Sequence, residues 1–300
     1  MSAMPATSVG PGLIGREREL LQLRACLRAA RNVLLEGPVG AGKTHLALAI
    51  TRELKRPVFR IDGDSRYSEQ KLSGWFDPPS VIKNGFNSKS FIPGPLIEAM
   101  TQGGVLFINE LNRLPEGVQN VLLPAIDERM VVVPRLGEIR AAEGFVVVAT
   151  QNPKEFVATS HLSEAILDRF ELVVVDYQDE EEETTIVQGR LKKAPPLLAR
   201  AAVRLARLTR DHPRVRRGAS VRAALSLAEI AAVLIKDGSS LRDAFWEAAC
   251  MAFPTRIEIE REAESNAPMH QEVESLLKEW AEEVWKGLEE GGESGSKKKS

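Results

Sequence analysis

One octapeptide restricts the possible folds more than any other feature of the chain: "GPVGAGKT", Gly37 to Thr44. It fits G-x-x-x-x-G-K-[ST], and its flanks give that pattern a physical meaning. An apolar run, "NVLLEG", precedes it, and an amphipathic stretch, "KTHLALAITREL", follows. A strand that enters a helix through such a loop turns backbone N–H groups and the positive end of the helix dipole towards one point. Gly37, Gly40 and Gly42 let the backbone wrap a polyphosphate. Lys43 would reach the β- and γ-phosphates, and the Thr44 hydroxyl would ligate Mg²⁺. Pro38, Val39, Ala41 and His45 complete the predicted nucleotide contact. The bland alternative is a Gly-rich turn with an exposed lysine, and the strand and helix on either side speak against it.

The rest of the chain supports a three-layer α/β domain. Five β-rich runs stand out: "NVLLEG", "PVFRID", "GVLFINE", "FVVVATQN" and "ELVVVDY". They are continuous rather than alternating, which suits strands buried on both faces of a parallel sheet. Helical stretches fall between them, including "REREL LQLRACLRAA" and "LPEGVQNVLLPAIDE". From Thr184 onward the text turns into Ala-, Leu- and Arg-rich helix, which predicts a second, all-helical domain. The predicted division is a tail over 1–12, an α/β domain over 13–178, helices over 179–290 and a solvated tail over 291–300.

Composition excludes several classes. Forty Lys and Arg against 42 Asp and Glu give a net charge of −2, so no global field advertises nucleic acid or an anionic membrane. No window approaches the roughly 18 consecutive apolar residues of a membrane span. The first residues carry neither a basic nor a long apolar segment, so a cytoplasmic protein is expected. Cys26 and Cys250 make neither a disulfide framework nor a zinc site and are expected as two buried small hydrophobes. His45, His161, His212 and His270 show no metal-ligand spacing.

With the phosphate loop placed, "VLFINE" becomes interpretable. Two polar residues at the carboxyl end of a buried strand lie where open α/β sheets bind ligands. Glu110 is positioned to orient and deprotonate an attacking water. The preceding residue usually helps to hold Mg²⁺, and here it is Asn109. It keeps a carbonyl acceptor and gives up the negative charge, which should weaken metal binding without touching nucleotide binding. A fourth strand ends in Thr150, Gln151 and Asn152, where an amide can meet the γ-phosphate or simply cap a turn before Pro153. Arg169 ends a helix before the fifth strand, as a surface residue or as a finger into a neighbouring subunit's site. Ser220 reads as an N-cap, with Arg222 on the first turn behind it placed to reach back to the nucleotide. Arg200, Arg204, Arg207, Arg210, Arg214, Arg216 and Arg217 form a basic cluster with no aromatic residues between them to stack bases.

In this order the motifs resemble the MoxR family of AAA+ ATPases over roughly 13–235. The resemblance starts at "LIGREREL" and runs through the phosphate loop and "SGWFDPP…SFIPGPLIEAM", then "NELNR", "ATQNP", "SEAILDRFE" and "GASVRAA". "FINELNRLPEGVQNVLLPAIDE" is similar to the branch associated with maturation of carbon-monoxide-dehydrogenase-type enzymes. The resemblance implies an AAA+ P-loop core with a parallel five-stranded sheet, a β-hairpin insertion around Leu136 and Gly137, and a helical lid. It implies ATP with Mg²⁺, Asn152 as sensor 1, Arg169 as arginine finger and Arg222 as sensor 2. It further implies a homo-oligomeric ring, usually hexameric, working with a von Willebrand A domain protein on a client metalloenzyme. Asn109 departs from the family's Asp. Three functions follow: an ATP-hydrolysing remodelling chaperone, a nucleotide-gated scaffold with little hydrolysis, and a nucleic-acid motor, which the charge balance opposes.

Overall fold

A computed structural model describes residues 13–152, 162–191, 194–261 and 268–296. Pro153, His161, the 1–12 tail and Lys297 to Lys299 lie outside them. The chain divides after Asp176 into two compact units.

The first unit is built on a parallel sheet of β1 (Val33–Glu36), β2 (Val58–Asp62), β3 (Val105–Asn109), β4 (Val146–Gln151) and β5 (Glu171–Val174). Their order across the sheet is β2-β3-β4-β1-β5. Alternation along each strand sends Leu34, Leu106, Ile108, Val147 and Ala149 into one core, which they share with Leu96 and Met100 of helix Pro95–Thr101 and Val118 and Leu122 of helix Glu116–Asp127. The alternate residues, among them Val33, Leu35, Phe107 and Val148, are equally buried. Helix Lys43–Glu53 packs against β1, β3 and β4.

Double burial holds for β1, β3 and β4 only. β2 and β5 close the sheet at its two sides, and Val58, Leu172 and Val174 are exposed. A continuous apolar run therefore did not mean burial on both faces for those two strands; β-branched residues also suit a half-covered edge. The predicted hairpin is formed by Met130–Val133 paired with Gly137–Arg140. A second short ribbon pairs Gly74–Phe76 with Phe91–Pro93.

The second unit contains helices Glu180–Arg190, Pro196–Asp211, Val221–Lys236, Leu241–Ala252 and Met269–Ser296. Its core is rich in alanine: Ala199, Ala202, Ala206, Ala223, Ala224, Ala228, Ala244, Ala248 and Ala249 are all fully buried. Small side chains let helix axes approach closely, and a larger residue at such a position costs about 1–3 kcal/mol through overpacking. The unit is not wholly helical, because Val215–Arg217 pairs antiparallel with Glu258–Ile259. Three residues and two are too few to print a period in the sequence. The last helix also runs to Ser296, past the predicted start of the tail at 291, since extending a formed helix costs far less than nucleating one.

Among the described residues no helix is long and apolar enough to cross a membrane. Cys26 and Cys250 are free thiols, half-buried rather than buried as expected. Burial, with Glu274 and Glu247 nearby, pushes Cys250 up to about 11. At pH 8 only about one molecule in a thousand then carries the reactive thiolate. Iodoacetamide is expected to label Cys250 far more slowly than a free cysteine, as mass spectrometry of the alkylated protein will read out.

Candidate nucleotide site

The site grows from the carboxyl ends of the parallel strands, where β1, β2, β3 and β4 finish in Glu36, Asp62, Asn109 and Gln151. Gly37 follows β1, and a Cβ there would lie 1.9 Å from the Val175 carbonyl oxygen, so no side chain fits while the loop holds this path. Gly42 caps helix Lys43–Glu53 at φ 92°, a left-handed conformation that favours glycine. Lys43 is folded back on the loop: its Nζ donates to the carbonyls of Gly37 at 2.6 Å and Pro38 at 2.8 Å. The loop is also held from behind. Arg16, almost wholly buried, donates through Nη2 to the carbonyls of Ala41 at 2.8 Å and Asp176 at 2.5 Å. Sequence reasoning placed Arg16 in a helix but did not assign it this contact. His45 and Val39 are exposed at the loop.

A chain of hydrogen bonds joins this loop to β3 and β4. The Thr44 hydroxyl donates to Asn109 Oδ1 at 3.0 Å. The Thr150 hydroxyl donates to the same oxygen at 3.2 Å and accepts from the Glu110 amide at 2.9 Å. Asn109 Nδ2 donates to Asp62 Oδ1 at 2.9 Å. Lys43, Thr44, Asn109 and Glu110 are thus collected around one loop, with Thr150 as the tie between strands. Asp62 was missed: the sequence shows where "FRID" ends but not which strand lies beside it. Arg60, hydrogen-bonded to Asp62, holds that carboxyl below the usual carboxylate range, and Asn109 adds to the effect.

Glu110 leaves β3 with φ 60° and ψ 58°. A left-handed conformation costs a non-glycine residue about 1 kcal/mol or more, and such strain gathers at functional positions. Its carboxylate pairs with Arg113 Nε at 3.1 Å. Asn152 is buried, and its carbonyl accepts from Asn112 Nδ2 at 3.4 Å. Arg169 follows helix Glu164–Leu167; it donates to Asp127 Oδ2 at 2.7 Å and to the Ala165 carbonyl at 2.6 Å. Arg222 is exposed on the first turn of helix Val221–Lys236 in the second unit, behind the Ser220 N-cap.

A family profile described as "AAA domain (dynein-related subfamily)" matches residues 32–170, the whole stretch from β1 to the residue before β5. An uncharacterised protein of Staphylococcus epidermidis is 31% identical over 217 residues, covering 70% of this chain and 82% of that protein. Residues 32–170 of the chain form an AAA domain. Two RuvB mutants from Thermotoga maritima share the fold of this AAA protein with TM-scores of 0.54 and 0.53 at 20% identity, each over 79% of this chain and 69% and 70% of theirs. The sheet order and the phosphate loop are those of an AAA+ P-loop core.

Proposed function

We propose that this AAA protein is an ATP-hydrolysing remodelling machine of MoxR type. The observation that carries the reading is the hydrogen-bonded chain from Thr44 through Asn109 and Thr150 to Glu110. It joins the phosphate loop to the residue suited to activate water. Lys43 exchanges its two loop carbonyls for the β- and γ-phosphates. Glu110 leaves Arg113 and accepts the proton of the attacking water as the new bond to the γ-phosphorus forms and the bridging bond to ADP breaks. Asn152 orients the water or the γ-phosphate, and Arg169 of a neighbouring protomer meets the charge that develops.

The donor set fits Mg²⁺. Thr44 Oγ1 and Asn109 Oδ1 are hard oxygen donors, suited to a cation that keeps most of its waters. When bound with ATP, Mg²⁺ neutralises charge on the β- and γ-phosphates. A homo-oligomeric ring, a von Willebrand A domain partner and a metalloenzyme client come from the resemblance. Within the basic cluster, Arg204, Arg207, Arg210, Arg214 and Arg216 are ion-paired with Glu180, Glu183, Glu272 and Glu260. Those pairs weigh against a nucleic-acid motor.

A second reading, a nucleotide-gated scaffold, is favoured by Asn109 and by the engagement of Glu110 with Arg113. Steady-state ATPase across protein and Mg²⁺ concentration separates the two, with Lys43→Ala as the blank. Turnover that rises with assembly, and a lower Mg²⁺ requirement in Asn109→Asp, is the expected result. Wild type equal to the blank, with activity restored by Asn109→Asp, would leave the scaffold standing.

A further inference from the structure

The acid absent at position 109 is present one strand away. β2 and β3 pair in the register Asp62 against Asn109, and directly opposed side chains stand on the same face of a sheet. That is also the face of Phe107, the residue before Ile108, and of Arg60, which opposes Phe107 and lies 5.8 Å from its ring centroid. An ionised carboxylate only accepts hydrogen bonds, so the Asn109 amide must turn its NH₂ to Asp62 and its carbonyl oxygen to the phosphate loop. The two bonds observed, 2.9 Å to Asp62 and 3.0 Å from the Thr44 hydroxyl, are that arrangement.

We propose that Asp62 supplies the negative charge that Asn109 lacks, acting through the Asn109 amide on the cation held beside Thr44. It is a positioning residue: through its bond to Asn109 Nδ2 it fixes which end of the amide faces the phosphate loop, and it polarises that end. The inference rests on the nucleotide-site reading above. Arg60 opposes the effect. Its Nη2 lies 2.7 Å from Asp62 Oδ1, and its Nε donates to both carboxylate oxygens at 3.2 Å. Arg60 and Asn109 therefore share one carboxylate, and removing Arg60 leaves more of its charge to the amide. Substitutions at the two positions should move metal affinity in opposite directions. A pair that merely held the strand end together would move it in one direction only.

Mn²⁺ is the probe, added to the full-length protein saturated with ADP, with free Mn²⁺ read by electron paramagnetic resonance. Asp62→Asn is expected to weaken Mn²⁺ binding about tenfold and Arg60→Gln to tighten it severalfold, the size of effect one partly screened charge produces at this range. Metal-free ADP affinity shifts less and in the opposite sense, since a charge that attracts the cation repels the diphosphate. Asp62→Glu keeps wild-type binding, and Asn109→Asp placed in the Asp62→Asn background restores it. Thermal melts of each variant show that it is folded. The inference is overturned if Asp62→Asn binds Mn²⁺ like wild type, or if both single variants weaken Mn²⁺ and metal-free ADP alike. If wild type binds ADP no better than Lys43→Ala, the nucleotide site itself fails, and the inference falls with it on a separate observation.

Discussion

Replacing Arg169 with alanine is expected to lower ATP turnover by about a thousandfold, the scale at which an arginine finger contributes to phosphoryl transfer, while ADP binding is unchanged. The guanidinium is held at the chain's own surface by Asp127 and the Ala165 carbonyl, and its Nε is buried without a hydrogen bond among the described residues. A side chain so braced is pre-aimed, and its planar fork is what lysine lacks, so Arg169→Lys should not rescue. The decisive version mixes two inactive proteins, Arg169→Ala and Lys43→Ala. If the finger reaches a neighbour, mixed rings contain junctions with an intact Lys43 on one side and an intact Arg169 on the other, and activity returns. A mixture that assembles and stays inactive would remove the trans assignment.

The largest stability effect is expected at Glu183. Its side chain is 3% exposed and pairs with Arg210, itself 10% exposed, at 2.9 Å, and with Arg207 at 3.4 Å. Arg210 also donates to the Ala219 carbonyl at 2.8 Å and lies over the Tyr177 ring at 3.9 Å. Glu183→Ala leaves a buried guanidinium without its counter-ion, at a cost of about 3–5 kcal/mol. Against the roughly 5–15 kcal/mol that holds an ordinary domain together, this lowers the midpoint of the second unit's unfolding by about 10 °C or more. Glu183→Gln keeps the volume and one acceptor and should lose less. Scanning calorimetry checks both. A shift of Glu183→Ala within error of wild type would mean that Arg210 finds water when its partner is gone.

How much of this was legible depended on whether a signal is local. The phosphate loop was, because its glycines, lysine and threonine must be consecutive to act together. So were β1, β3 and β4, whose apolar runs are long enough to be seen, and the Ser220 cap, which needs only the residues after it. Asp62 was not, because its meaning comes from strand order, and nothing inside "FRID" states that its neighbour is "FIN". The tie made by Thr150 was hidden for the same reason: a threonine ending a strand is ordinary until β4 is placed beside β3. Arg16 read as the first turn of an amphipathic helix, while its guanidinium bonds to carbonyls 25 and 160 positions away. The Val215–Arg217 ribbon failed differently, through brevity alone.

β2 is one of the sheet's two edge strands, so one row of its backbone N–H and C=O groups faces no further strand among the described residues. Such a rim invites pairing with another molecule, and charged side chains placed along it discourage that. Arg60 and Asp62 are those charges. The pair that tunes the site therefore also guards solubility. An Arg60→Gln, Asp62→Asn double variant is the one most prone to precipitate at high concentration, even where each single variant stays in solution.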